Sequence, residues 1–303
     1  MDGGQHSPRT PQTAPARSPG TPSWLRARLG AALFAKVAGP DGRAVRERIH
    51  HTPGTRWFPP GRPIRTVHGD ASMFVGGLAA LLLQSLHPSA MAAVADHSGY
   101  HSDPWGRLQR TSTFLAVTTF GPATDAQAAV DRVRAVHARI RGTRADGHPY
   151  RADDPHLLGW VHAAETDSFL RAHQAYGATP LDPPACDAYV ADMAQVATAL
   201  GVPDPPRDRA GLDALLRAYR PELARTAAAE DAAAFLLRNP PIPLPARPFY
   251  GALAAAAVDL LTLDHRTLLA APCVPLPAGA IRPLGRAAVR TIRWALPTTG
   301  EQH

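Results

Sequence analysis

Apolar residues recur at helical spacing along almost the whole chain, and the periodic runs are divided by residues that start and stop helices. Ser23 can cap a helix to about Val37, and Asp70 can cap the apolar helix that runs to Leu86. Asp103-Pro104 reads as N-cap and first turn of a helix to about Thr119, closed by Gly121-Pro122. Thr124 and Gln127 have capping-box spacing for the next helix, which should end at Arg141-Gly142. Asp154-Pro155 and Asp182-Pro183 open two more, to Tyr176-Gly177 and Leu200-Gly201. Helical runs follow at 211–219, 221–238, 246–263 and 283–296, with Pro-rich connectors at 239–245 and 272–277. No strand series and no fixed-period repeat is visible, so the expected fold class is all-α, with a single globular helical domain over 23–303. Residues 1–22 are rich in Pro, Ser, Thr and Gly. Without an apolar pattern they cannot offset their ordering entropy, so a disordered tail is expected.

The most apolar stretch, Gly76 to Ala95, is nearly long enough to span a bilayer. Gln84, His87 and Pro88 lie in its middle, where polar groups are costly in lipid. A core helix broken at His87-Pro88 fits better than a transmembrane segment. With no signal peptide pattern, a soluble, cytoplasmic protein is expected.

Composition narrows the chemistry. Cys186 and Cys273 are too few for a disulfide framework or a Cys-based zinc or iron–sulfur site. Of 32 Lys+Arg only Lys36 is lysine, so the net charge of +7 is an arginine charge. These arginines are scattered singly, without basic blocks or interleaved aromatics, and no nucleic-acid partner is expected. His162-x-x-Glu165 inverts the di-iron Glu-x-x-His order, and five glutamates are too few for a carboxylate-bridged centre. Nucleophile-elbow, phosphate-loop and dinucleotide motifs are absent.

Two helices carry candidate residues. Ala126, Val130, Val133, His137 and Ile140 share one face, while Asp131, Arg132 and Arg139 lie opposite. A histidine on such a face is either a hydrogen-bonded core residue or a neutral imidazole suited to axial haem ligation. On the preceding helix Arg107, Thr111, Phe114 and Thr118 form a stripe. An arginine one turn before a threonine can hold a carboxylate or a propionate, or else simply face solvent. The Gly76-Gly77 pair would allow close approach of a helix or a flat ligand.

The ordered series HGD (68–70), GGxxALLLQSLHP (76–88), ADHS (95–98), DPWGRLQRT (103–111), TTFG (118–121), VHARIRG (136–142), YRADDPHLLGWVH (150–162) and RPELA (220–224) resembles a large actinobacterial family of unknown function. That family is related to latex clearing protein (rubber oxygenase) and to the fungal oxygenases that cut prenyl side chains in mycophenolic acid biosynthesis. The resemblance implies a helical haem b protein that uses O2 on an apolar, alkene-containing isoprenoid or lipid-like substrate. It implies that Arg107 and Thr111 support the cofactor and that His137 is the axial iron ligand, with His162 as runner-up. His87 would be a distal-side element. Two departures stand out. The Thr111–His137 separation is shorter than in rubber oxygenase, and the acidic residue proposed there as catalytic base has no clear counterpart. The region upstream of Arg107 offers Asp96, His97 and Asp103 instead. Two other classes remain open: a haem carrier or sensor without turnover, and a cofactor-free helical scaffold.

Overall fold

A computed structural model describes residues 23–270 and 278–296. The 1–22 tail, the 272–277 connector and Cys273 lie outside the described residues. The helices are α1 (Ser23–Ala38), α2 (Gly42–His51), α3 (Pro63–His68), α4 (Met73–Gln84), α5 (Pro88–His97), α6 (Pro104–Phe120) and α7 (Ala123–His137). After a short hairpin of β1 (Arg141–Thr143) and β2 (Pro149–Arg151) come α8 (Pro155–Tyr176), α9 (Pro183–Leu200), α10 (Arg209–Tyr219) and α11 (Ala227–Leu237). The chain then adds α12 (Arg247–Leu260), α13 (Leu263–Leu268) and α14 (Ala278–Ala295). The fold is all-α apart from the two-stranded hairpin.

The longest helix, α8, forms the axis of the molecule. It crosses α4 at Gly76, where an added Cβ would stand 3.1 Å from Phe169 Cδ1 and 3.2 Å from the Ala172 Cβ. One side of this pair is filled by Phe58, Ile64, Val67, Tyr189 and Met193. Leu82, Leu86, Trp160, Tyr219 and Leu261 close a second side, and Val75, Leu253, Val289 and Ile292 a third. Each such side chain contributes roughly 1.5–3 kcal/mol by leaving water. The apolar stretch is broken where expected: α4 and α5 meet at 106°, with Pro88 in the first turn of α5. Among the described residues no single helix is long and apolar enough to cross a membrane.

Side-chain caps start six of the helices. The carboxylates of Asp103, Asp154 and Asp182 accept backbone N–H bonds from the first turns of α6, α8 and α9, each followed by Pro. Gly201, at φ +106°, ends α9 in the left-handed conformation.

Other expectations are corrected. Asp70 does not cap α4; its carboxylate takes two bonds from Arg293 and one each from the Ser72 and Ala178 N–H groups. Thr124 and Gln127 form no capping box, because α7 starts at Ala123 behind Pro122 and the Gln127 amide donates to Asp131. The helix does not run on to Gly142. It stops at His137, and residues 141–143 pair with 149–151 around an Asp146-Gly147 turn with Gly147 at φ +85°. Gly142 is needed for a different reason: the Tyr150 ring lies over it, within 2.5 Å of where a Cβ would be. Helices α2 and α3 lie outside the expected helical runs, although α2 is amphipathic, with Gly42 and Ile49 buried. Asp192 settles α3, accepting from the Arg62 guanidinium and from the Ile64 N–H at its start.

Candidate functional site

Helices α6 and α7 form an antiparallel pair joined by Gly121-Pro122 alone. Arg107 lies 13 residues before the end of α6, and His137 lies 14 residues after the start of α7. At 1.5 Å per residue each stands about 20 Å along its own helix from the turn, but no hydrogen bond or charge contact among the described residues links the two: His137 feels Asp153, and Arg107 feels Arg110 and Tyr100. Thr111 is one turn nearer the connection.

The side chains of this stripe differ in setting. Thr118 is buried, its hydroxyl donating to the Phe114 carbonyl, and Phe114 packs on the core. Thr111 is exposed. Arg107 is half-buried and donates from Nη1 to Ser98 Oγ at 2.7 Å. Burial, with Arg110 beside it, lowers its pKa, and no described carboxylate pairs with it. A desolvated guanidinium without an anion is unusual and leaves donors free for an acidic ligand group.

His137, the last residue of α7, is also half-buried. Desolvation lowers its pKa against the pull of Asp153, so the ring is neutral at pH 7 and keeps a lone pair for a metal. Its neighbour Val136 is 54% exposed and Leu108, next to Arg107, is 37% exposed. Each of the two residues thus has a partly exposed apolar neighbour on its own helix. A free guanidinium and a neutral imidazole are, separately, groups that could hold a propionate and an iron.

His162 sits elsewhere, two turns into α8 and buried. Its Nδ1 is 3.4 Å from Thr166 Oγ1, while Nε2 is buried with no partner. Desolvation alone carries its pKa down to about 4. One turn on, Glu165 is pushed up to about 7 by burial, with no charge or hydrogen bond opposing the shift. The face continues to Phe169, whose ring meets His68 edge-on at 5.5 Å. His68 Nδ1 is 2.8 Å from Thr119 Oγ1, and burial takes that ring to about 3. The interior thus holds two uncharged imidazoles and a carboxyl that titrates near neutrality. Along the chain His162 and Glu165 stand out only as a motif in the wrong order for di-iron. Their signal was the apolar setting of both on α8, which becomes decisive only once the facing residues are known. His68 stands in the HGD motif, but nothing in that spacing marks it as buried.

The upstream alternatives have local employment. Asp103 caps α6 and pairs with Arg110, Asp96 accepts from the Tyr150 hydroxyl, and His97 is exposed. The His87 ring is held beside Glu222 and His156.

Comparison with known proteins places this geometry in context. The family model described as "ER-bound oxygenase mpaB/B′/Rubber oxygenase, catalytic domain" matches residues 65–294, a span that includes Arg107, Thr111, His137 and His162. Uncharacterised proteins of Mycobacterium bovis and of Mycobacterium tuberculosis are each 33% identical to the chain over 121 residues, covering 39% of it and 47% of their own length. The chain thus spans about half the length of the curated relatives it matches. No solved structure matches.

Proposed function

Because the chain belongs to the family of mpaB/B′ and rubber oxygenase catalytic domains, we propose that it is a haem b-dependent oxygenase acting with O2 on an apolar, alkene-containing substrate of isoprenoid or lipid type. The family match over 230 residues carries this reading. The Arg107 guanidinium, with no described carboxylate partner, and the neutral imidazole of His137 support it.

In this reading His137 would hold the haem iron, and Arg107, with Thr111 one turn on, would hold a propionate. When bound, haem iron supplies the O2 chemistry. The protein supplies the rest. Desolvation keeps His137 neutral and coordinating at physiological pH. Arg107 fixes the orientation of an acidic edge, and Leu108 and Val136 give an apolar substrate a surface to follow. Glu165 is the interior group able to give or take a proton near pH 7.

One observation favours a second ligand assignment: the buried, unpartnered Nε2 of His162. The visible spectrum of untagged protein, expressed with ample haem precursor, tests both. A Soret band that is lost in His137→Ala and kept in His162→Ala is the expected result; the reverse pattern transfers the ligand to His162. A colourless wild-type protein rejects haem dependence. Oxygen uptake with a panel of isoprenoids and unsaturated lipids then tests turnover, since a haem carrier or sensor would consume none. In Arg107→Ala the band should weaken, and Arg107→Lys should restore it only in part, because lysine cannot make the bidentate contact.

A further inference from the structure

A second cluster of metal-binding side chains lies away from the α6–α7 pair. His87 occupies the N-cap position of α5, His156 is the second residue of α8, and Glu222 closes a 3-10 turn after α10. The three donor atoms lie within 4.8 Å of one another. His156 Nε2 is 2.9 Å from both Glu222 oxygens, and His87 Nε2 is 3.3 Å from Oε2. A tetrahedral ion with bonds of about 2.0–2.1 Å spaces its ligand atoms about 3.3 Å apart, so these separations suit a shared ion with little rearrangement.

The surroundings hold the donors in place. The Tyr219 hydroxyl donates to the His156 carbonyl at 2.6 Å, and its ring lies 4.6 Å from the His156 ring. The Ala224 N–H bonds to the Leu86 carbonyl, which ties the segment after Glu222 to the residue before His87. The His87 side chain is only 7% exposed, and its Nδ1 is buried without a partner. In the empty site Nε2 carries the proton towards Glu222 Oε2, and an ion there would take that proton's place, the ring then keeping its proton on the unpartnered Nδ1.

We propose that His87, His156 and Glu222 form a site for one borderline divalent cation of the zinc class, with the remaining coordination position turned into the adjoining cleft. Two imidazoles and one carboxylate favour zinc over the all-oxygen shells of calcium or magnesium. The cleft, of about 380 Å³, is lined in addition by Arg144, Arg151, Tyr150 and the α8-capping Asp154, so the open position faces polar groups of both signs and suits a water. An ion here would bind together α5, α8 and the turn after α10, three elements far apart in sequence.

The test uses untagged full-length protein, stripped with a chelator, titrated with Zn2+ and passed through gel filtration before metal analysis, with iron counted separately. One zinc retained per chain and a higher Tm are expected. His156→Ala and Glu222→Gln, both at accessible positions, should weaken binding at least about ten-fold. Co2+ should give tetrahedral-type visible bands in the wild type that both variants lose. Failure to retain zinc, or unchanged affinity in either variant, overturns the site. The readout is independent of haem content.

Discussion

Burial without a partner moves an acid and a base in opposite directions, and α8 carries one of each. Glu165 rises to about 7 from an ordinary 4.5, so between those values the folded chain holds a proton that the unfolded chain has released. Its contribution is complete below pH 4.5 and is lost as pH rises through 7. His162, lowered to about 4 from 6.5, acts at the other limb: its contribution is present above 6.5 and fades as pH falls through 4. Glu165→Gln should therefore gain stability relative to wild type on going from pH 5 to pH 8, by about 2 kcal/mol. Urea unfolding at the two pH values measures this, and an equal gap at both would show that Glu165 is solvated in the native state. Neither shift is legible in the motif, because each depends on what covers the residue rather than on its neighbours in the chain.

At the scale of elements, the α4–α8 crossing divides the labour of two adjacent glycines. Gly76 faces α8, where a Cβ would meet the Phe169 Cα at 3.2 Å as well as side-chain atoms, and a backbone atom cannot step aside. Gly77 has nothing within 4 Å of the same position. Gly76→Ala is expected to destabilise by about 1–3 kcal/mol through overpacking. Gly77→Ala should stabilise by up to about 1 kcal/mol, since alanine restrains the unfolded chain and favours helix. Thermal unfolding of the two variants checks the order, and a reversed order would mean that α4 is rotated. The spacing showed that this pair permits close approach; only the partner helix decides which glycine is used. The β1–β2 hairpin teaches a similar lesson. Asp146-Gly147 was a readable turn signal, yet the 141–143 strand is too short for periodicity to separate it from the end of a helix.

Across the whole molecule, two buried carboxylates fasten distant segments. Asp70, ahead of α4, takes a forked contact from Arg293 on α14 at 2.9 and 3.0 Å. That pairing, with the Ser72 N–H, holds the Asp70 pKa below its usual value despite desolvation. The contribution is present above pH 4 and is lost as pH falls through the lowered pKa. Asp70→Ala leaves a part-buried guanidinium unpaired and should cost about 3 kcal/mol. A double-mutant cycle with Arg293→Met should show coupling, the pair of changes costing less than the two separately. Strict additivity would show that the contact contributes nothing to stability. Asp192 does the same for Arg62 and the start of α3.

The chain by itself determined what is local: the helical class, the break at His87-Pro88, the Asp-Pro starts of α6, α8 and α9, and the helical stripes that single out Arg107 and His137. These follow from side-chain spacing, proline geometry and caps, which act within a few residues. Tertiary structure alone decided that Asp70 is an ion-pair anchor rather than a cap, that Glu165 titrates near neutrality, and that His87, His156 and Glu222 converge. Each depends on groups tens to hundreds of residues away, whose approach sets desolvation and pairing. No local pattern records that approach.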